Sequence, residues 1–257
     1  MKKPPDENAC FRTREEQAEK IIRVIADYLK SGLQDLFCLD IGCSNGIMSG
    51  IFRTQYKQVV AFDVNKTLVN EANESFKIDG IYYLIADGEQ IPFPDESFDL
   101  IICAQIYEHT QEPEALASEI FRVLRKNGIC FFSGPNRLFI IEQHYRLPFL
   151  SWLPKTYANQ YMRLFRRGSS YGISPLNYWQ LRRLLRKFVI HDYTVKIISD
   201  PERFGLHDRN IVLNIAKLLP QFFLSSYPFW IPNFNWILVK RENDIHTDNL
   251  THDSAIR

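Results

Sequence analysis

Short hydrophobic runs alternate with segments of helical periodicity through the first half of the chain. The runs read as strands buried on both faces, as in a parallel sheet, and the segments between them read as helices. The predicted strands are 37–41, 58–63, 81–86, 98–104 and 128–133. The predicted helices are 13–29, 47–52, 66–76 and 113–125. Because strand and helix alternate at short spacing, the sequence predicts right-handed crossovers and a mainly parallel sheet.

The alternation stops at Pro135 and resumes near residue 174. Ser174-Pro175 has the cap and first-turn residues of a helix, which is predicted to run to Lys187. A sixth strand is predicted over Phe188–Ile198, and a last strand over Trp236–Val239. The outer segments are polar, so we expect a loose tail at 1–12 and a disordered tail at 241–257.

Composition excludes several classes of protein. The five cysteines form no disulfide pattern and no Cys/His group has zinc spacing, so no metal site is predicted and a reducing, cytoplasmic location is expected. The N-terminus has no apolar stretch typical of a signal peptide. No apolar run reaches the ~18–20 residues that a membrane span requires.

Acidic residues end three consecutive predicted strands, at the edge where open α/β sheets bind ligands. Asp40 ends the first strand, Asp63 the second and Asp87 the third. A carboxylate at Asp63 suits two ribose hydroxyls, and one at Asp87 suits the exocyclic amine of adenine. The loop from Gly42 to Gly46 lacks the middle glycine of the Gly-x-Gly-x-x-Gly fingerprint, which disfavours NAD(P) and FAD. The pattern favours a different adenosine ligand.

Several ordered motifs over residues 35–136 resemble class I S-adenosylmethionine-dependent methyltransferases, in the ubiquinone/menaquinone-type branch. The motifs are Leu39-Asp40-Ile41-Gly42-Cys43-Ser44-Asn45-Gly46, Asp63, Ala86-Asp87-Gly88-Glu89, Ser97-Phe98-Asp99-Leu100-Ile101, Ile106-Tyr107-Glu108-His109, and Glu119 to Gly128. That family commonly has glycine at the position of Ser44. The resemblance implies a three-layer Rossmann-like α/β sandwich with a mainly parallel seven-stranded sheet and an antiparallel last strand.

The resemblance also implies S-adenosyl-L-methionine as cofactor and a role for each residue at the sheet edge. Those expected to hold the methionine moiety are Asp40, Gly42, Cys43, Ser44, Gly46, Ala104 and Gln105. Asp63 and Val64 are expected at the ribose, and Asp87 and Gly88 at the adenine.

A general base assists methyl transfer when the acceptor is a hydroxyl or an acidic carbon. The candidates are His109, Glu142, His144 and Tyr145. For His109 the alternative is a role in capping or packing beside its helix. For Glu142 and His144 the alternatives are structural hydrogen bonding or half of a metal site.

Residues 137–175 form a predicted insert on the acceptor side of one methyltransferase domain spanning 1–240. Between residues 137 and 187 there are ten Lys/Arg and the single acid Glu142, interleaved with aromatics. Arg137, Arg146, Arg166 and Arg167 are candidates for binding an anionic acceptor. The alternative is a solvated arginine face over a core of aromatics.

A second aromatic insert is predicted over 205–235, either packed on the first insert or in contact with a membrane interface. The leading hypothesis is methyl transfer to oxygen or carbon of a small or lipid/glycan-linked, anionic acceptor, with an anionic membrane surface as a candidate partner and a peripheral location at the inner membrane. The alternatives are a non-catalytic cofactor-binding or membrane-docking protein and an RNA methyltransferase. Nucleic acid is disfavoured because no RNA-recognition motif is present. No oligomeric state is predicted.

Overall fold

The computed structural model describes residues 7–206 and 231–240, with side chains from residue 13. Its strands are β1 (Phe37–Ile41), β2 (Gln58–Asp63), β3 (Ile81–Ile85), β4 (Phe98–Ala104), β5 (Leu124–Pro135), β6 (Phe188–Asp192) and β7 (Asn233–Lys240). Within the described ranges they form one seven-stranded sheet in the order β3-β2-β1-β4-β5-β7-β6. The strands from β1 to β5 pair in parallel, and β7 runs antiparallel to both β5 and β6. The predicted sheet, with its antiparallel last strand, is confirmed.

Helices cover both faces of this sheet, which makes a three-layer sandwich. They are α1 (Glu7–Leu29), α2 (Ile47–Arg53), α3 (Lys66–Ser75), α4 (Pro113–Val123), α5 (Lys155–Leu164), α6 (Tyr178–Leu184) and α7 (Thr194–Ser199). Alternate residues of each strand point to opposite layers. In β1, Leu39 packs in the cluster that contains Leu116 of α4, whereas Cys38 packs in the cluster that contains Ile21 of α1.

Two helices begin at residues other than those predicted from the sequence. Helix α1 begins at Glu7, inside the loose tail predicted for residues 1–12, because residues 7–12 contain no proline or glycine to stop it. Helix α6 begins after Asn177, whose side chain accepts from the N–H of Gln180 in a capping box, and not after Ser174-Pro175. Both predictions placed the helix start at the wrong cap.

The strand predicted over Phe188–Ile198 ends at Asp192. There the carboxylate of Asp192 accepts from the Thr194 N–H at 2.8 Å and so starts α7. Its other oxygen accepts from the Trp236 indole at 2.7 Å, which ties the turn to β7. From Thr194 onward, the residues of the predicted strand are therefore helical.

The insert after β5 has a small core of its own. The core comprises Leu147, Leu150, Ala158, Met162, Tyr171 and Ile173. Its base is fastened by Tyr107, whose buried hydroxyl donates to the Pro135 carbonyl and accepts from the Leu176 N–H. The predicted second insert, 205–235, and the predicted tail, 241–257, lie largely or wholly outside the described residues. No helix among the described residues is long and apolar enough to cross a membrane.

Candidate active site

The loop after β1 depends on two glycines in the left-handed region. Gly42 has φ +74°, and a Cβ built on it would lie 2.1 Å from Cδ1 of Ile106. Gly46 has φ +81°, and a Cβ there would lie 2.8 Å from Cβ of Ala72. The N–H groups of Gly42 and Cys43 both donate to the Phe62 carbonyl, at 2.8 and 2.9 Å. The loop therefore closes tightly over the end of β2 and against the segment that follows β4.

Asp63 joins this loop to the end of β2. Its Oδ2 accepts from the Ser44 N–H at 2.9 Å, and its Oδ1 accepts from the Asn65 N–H at 2.9 Å. A carboxylate oxygen can accept more than one hydrogen bond, so both oxygens retain capacity for ribose hydroxyls. Val64 beside it is 67% exposed and presents an apolar surface next to this carboxylate.

Asp40 lies beneath the loop. It is buried, and its Oδ2 accepts from the Ser49 hydroxyl of α2 at 2.6 Å. Burial raises the pKa of Asp40 to about 7. This contact braces β1 against α2, so the structure gives Asp40 a positioning role for the loop.

The turn after β3 forms the side of the site that the motifs predict to bind adenine, and we name it the adenine side. Asp87 is exposed and accepts from the Glu89 N–H at 2.9 Å, whereas Gly88 is buried. A cavity of about 510 Å³ beside Asp87 is lined in part by Ile85, Gln90 and Pro92. The turn therefore presents an exposed carboxylate, which can accept further hydrogen bonds, next to an apolar surface.

Helix α4 holds the loop that follows this turn. The carboxylate of Glu119 accepts from the Ile91 N–H at 2.8 Å. The guanidinium of Arg122 donates to the carbonyls of Ile91 and Phe93 at 2.9 and 2.7 Å, and pairs with Glu119. The Glu-x-x-Arg motif thus fixes the shape of the adenine side.

Ala104 and Gln105 end β4 next to the glycine loop and are half-buried. Gln105 has φ +61°, and its N–H donates to the Ser133 carbonyl at 2.8 Å. Its amide nitrogen lies 3.4 Å from the Asn233 side chain of β7. The turn at Gln105 directs the chain into the 3-10 helix Tyr107–His109.

Two acids and two histidines meet just beyond this turn, and we name Glu108, His109, Glu142 and His144 the acid–histidine cluster. The Nδ1 of His144 lies 3.1 Å from a Glu142 oxygen, and its Nε2 lies 3.8 Å from Oε1 of Glu108. The Nε2 of His109 lies 4.0 Å from that same Glu108 oxygen. The two imidazoles meet edge to face, with centroids 5.2 Å apart.

The two acids of the cluster differ in charge state. Glu108 is 1% exposed, and burial raises its pKa to about 7. Burial also acts on Glu142, but hydrogen bonds from His144 and the Tyr145 N–H outweigh it and lower the pKa of Glu142. One carboxyl therefore titrates near neutral pH, and the other is a carboxylate.

The pKa values of the two histidines are shifted in opposite directions. The hydrogen bond to Glu142 raises the pKa of His144, against the effect of burial. Burial and the neighbouring His144 lower the pKa of His109. The fourth candidate, Tyr145, reaches the cluster through its backbone N–H, which donates to Glu142 at 2.6 Å, and its ring packs against Tyr171.

The four candidate arginines differ in exposure. Arg137 is half-buried, and its Nε donates to the Ser151 carbonyl at 3.3 Å. Arg146, Arg166 and Arg167 are exposed, and among the described residues no carboxylate forms an ion pair with any of them. They remain available to an external anion.

Sequence reasoning placed His109, Glu142 and His144 in the site but left out Glu108. The only signal for it was its position in the Tyr-Glu-His motif, which gives no clue to burial. The juxtaposition itself joins residues 35 positions apart in the chain, from His109 to His144, so spacing could not reveal it.

Residues 39–132 match the family model described as a methyltransferase domain. This segment is similar to methyltransferase domains, and we refer to it below as the methyltransferase domain. It spans the strands that carry the glycine loop, Asp63 and Asp87, and it ends within β5. The resemblance stated from the motifs is thereby confirmed for the first five strands.

Curated relatives align with part of this chain. The malonyl-[acyl-carrier protein] O-methyltransferase of Serratia marcescens is 30% identical over 95 residues, which are 37% of this chain and 36% of the relative. The ubiquinone biosynthesis O-methyltransferase of Histophilus somni is 30% identical over 119 residues, 42% of this chain and 49% of the relative. The chain thus spans half or less of these relatives' lengths.

The fold extends beyond the domain. A solved S-adenosylmethionine-dependent methyltransferase from Mesorhizobium loti superposes with a TM-score of 0.53 at 16% identity, covering 82% of this chain and 93% of that one. At this identity the likeness concerns the fold alone.

Proposed function

We propose that the protein is an S-adenosylmethionine-dependent methyltransferase that acts on an anionic, lipid-linked acceptor. The observation that carries the first part is the edge of the methyltransferase domain, where the glycine loop, Asp63 and Asp87 follow one another on adjacent strands. The loop fits the methionine end of the cofactor, Asp63 the ribose and Asp87 the adenine. Their order matches the order of these three parts in the cofactor.

The bound cofactor supplies an activated methyl group, so the protein's own residues position the acceptor and exclude water. The acid–histidine cluster follows directly after Ile106, which packs against Gly42. An acceptor oxygen between the loop and the cluster would lie beside Glu108, whose pKa burial raises to about 7. The cluster is therefore the place where the acceptor's proton is removed.

Calorimetric titration with S-adenosylmethionine tests the first part. We expect one binding site on the full chain, with binding that does not require an acceptor. A chain that shows no heat of binding and no protection by the cofactor against thermal unfolding would contradict the proposal. Binding without turnover across a wide panel of acceptors would instead favour the non-catalytic alternative.

The insert supports the second part, the lipid-linked acceptor. Ile140, Phe149 and Trp152 are each about half exposed, at 50%, 48% and 47%. The backbone N–H of Phe149 donates to the Ile140 carbonyl, and the rings of Phe149 and Trp152 lie 5.0 Å apart, so the three form one apolar patch. Exposed apolar patches of this kind mark binding surfaces.

Positive charge accompanies a second exposed apolar group at the end of α5. Leu164 is 76% exposed and Phe165 is 51% exposed, and Arg166 and Arg167 follow them directly. Rings at headgroup depth with arginines near anionic lipid are typical of interfacial contact. Sedimentation with vesicles tests this: we expect binding to phosphatidylglycerol vesicles and weaker binding to phosphatidylcholine vesicles, whereas a preference for single-stranded RNA over both would contradict it.

A further inference from the structure

The acid–histidine cluster has the ligand set of a metal site. One ligand atom each from Glu108, His109 and His144 lies within 4.8 Å of the others. Ligands of one zinc ion at about 2.1 Å lie roughly 3.0–3.5 Å apart. The histidine nitrogens are 3.8 and 4.0 Å from the Glu108 oxygen, so small side-chain rotations bring all three to bonding distance. His109 and His144 are exposed, so their side chains have room for these rotations.

The buried member of the set lacks a partner of its own. Glu108 is 1% exposed, and neither carboxylate oxygen has a hydrogen-bond partner. A buried polar atom without a partner is costly and calls for an explanation. Protonation does not remove the cost, because the carboxylic acid's own O–H would still need an acceptor. A cation between Glu108 and the two imidazoles satisfies the carboxylate and uses both histidine nitrogens that face it.

Glu142 fixes the tautomer in which His144 can bind a cation through Nε2. The Glu142 carboxylate can only accept a hydrogen bond, so the proton of a neutral His144 resides on Nδ1, 3.1 Å away. The lone pair of Nε2 then faces Glu108. Metal-binding histidines characteristically donate their second ring N–H to a carboxylate in this way, which fixes the tautomer and the ring orientation.

We propose that Glu108, His109 and His144 bind one divalent transition-metal ion, with Glu142 orienting His144 from behind. Two imidazoles and one carboxylate are the donor set of zinc and of other first-row ions that accept nitrogen. Magnesium prefers oxygen ligands and keeps its waters, so it should bind weakly here. This proposal departs from the prediction of no metal, which rested on spacing within the sequence.

Such an ion would give the cluster a defined role, and this step rests on the proposed methyltransferase function. Three protein ligands leave at least one position open for an acceptor oxygen. A metal ion lowers the pKa of a bound hydroxyl or water, so the proton of the acceptor hydroxyl would pass to bulk water at neutral pH. The ionised oxygen would then be the nucleophile, and Glu108 and the histidines would serve as ligands rather than as the base.

Metal binding is tested without any methyl transfer. The full chain, stripped with a chelator and dialysed, is titrated with ZnCl2 and separately with MgCl2 in a calorimeter, and the retained zinc is counted by atomic spectroscopy. The variants are His109→Ala, His144→Ala and Glu142→Gln. The matched control is His191→Ala, an exposed histidine of β6 that contacts Tyr28 away from the cluster.

We expect one zinc per chain in the wild type and in His191→Ala, with magnesium binding far weaker. Loss of either ligand histidine should weaken zinc binding by about 100-fold or more, and Glu142→Gln by about 10- to 100-fold. Unchanged zinc affinity in His109→Ala and His144→Ala would overturn the site. So would a wild type that binds magnesium as well as zinc.

Failure of this site and failure of the proposed function give different results. If the stripped chain binds S-adenosylmethionine but takes up no zinc in the titration, the metal site is refuted and the methyltransferase stands. If one zinc binds at the cluster but the cofactor does not bind, the metal site stands and the methyltransferase does not.

Discussion

The backbone N–H of Ser44 donates to the Asp63 carboxylate across 2.9 Å, which makes the glycine loop and the ribose acid one hydrogen-bonded unit. Replacing Asp63 with alanine removes the acceptors of both the Ser44 N–H and the ribose. Hydrogen bonds to charged groups contribute about 1.5–3 kcal/mol. We therefore expect Asp63→Ala to weaken S-adenosylmethionine binding by roughly 10- to 100-fold, measured by calorimetry.

Asp79→Ala is the matched control, because Asp79 is an exposed acid before β3. It should bind the cofactor like the wild type. Equal affinity in Asp63→Ala and Asp79→Ala, with both variants folded, would refute the ribose role of Asp63.

The glycine loop yields a prediction about stability. Gly42→Ala places a methyl group 2.1 Å from Ile106 at φ +74°, so it combines a steric overlap with a left-handed backbone. We expect the free energy of unfolding to fall by about 2–4 kcal/mol. Gly172→Ala is the control, since no atom lies within 4 Å of its Cβ position. Urea denaturation of both variants checks this, and equal midpoints would contradict it.

Glu108 should make stability depend on pH. Its pKa is about 7 in the folded state and 4.5 in the unfolded state, so the folded state binds more protons between these values. The free energy of unfolding therefore falls as pH rises through that window. Glu108→Gln removes the buried charge. With a chelator present, it should stabilise the protein by about 3 kcal/mol at pH 8 and by less than about 1 kcal/mol at pH 5.

Chemical denaturation at the two pH values measures this difference. The isosteric amide keeps the volume of the side chain, so packing changes would appear equally at both. The same stability change at pH 5 and at pH 8 would rule out titration of Glu108 in this window.

The pKa of His144 should respond to Glu142. The hydrogen bond between them is the main reason that the pKa of His144 is raised. Glu142→Gln removes that charge, so we expect the His144 pKa to fall in the metal-free protein. Proton NMR of the imidazole signals over pH 5–9 measures it, with His191 as an internal reference remote from the cluster. A His144 pKa that does not move would show that Glu142 does not set its charge.

The apolar patch of the insert should carry vesicle binding. Phe149→Ser with Trp152→Ser removes two half-exposed rings, so we expect weaker binding to phosphatidylglycerol vesicles by about tenfold or more. Tyr82→Ser is the control, because Tyr82 is 53% exposed on β3, an edge strand separated from β5 by three strands. Equal losses in both proteins would indicate a general effect of hydrophobicity rather than a lipid surface.

The fold followed from the sequence wherever local patterns decide structure. The apolar run Phe37–Ile41 forms a largely buried strand, as its composition predicts. The glycines after it form the turn that their conformational freedom predicts. The failures lie where two local signals compete. Ser174-Pro175 and Asn177 are both good helix starts, and the reciprocal bond with Gln180 selects the second. Asp192 ends β6 because Trp236, from the far end of the chain, holds its carboxylate in place.

The residues of the candidate site were also predictable from the sequence only in part. Asp63 and Asp87 were predictable because strand ends in a parallel sheet share one edge. The burial of Glu108 was not, because it depends on how the insert returns over the 3-10 helix, where the Ser174 N–H donates to the Glu108 carbonyl at 2.8 Å. Nor does the sequence reveal that His144 folds back onto His109.

The hydroxyl of Tyr107 bonds to Pro135 where the insert leaves the sheet and to Leu176 where it comes back. A single side chain thus holds together the two ends of an insert of forty residues. Because these two bonds lie at the base of the insert, we expect its ends to stay together whatever the length or side chains of its tip. Substitutions at the tip should therefore leave the chain around Pro135 and Leu176 in place.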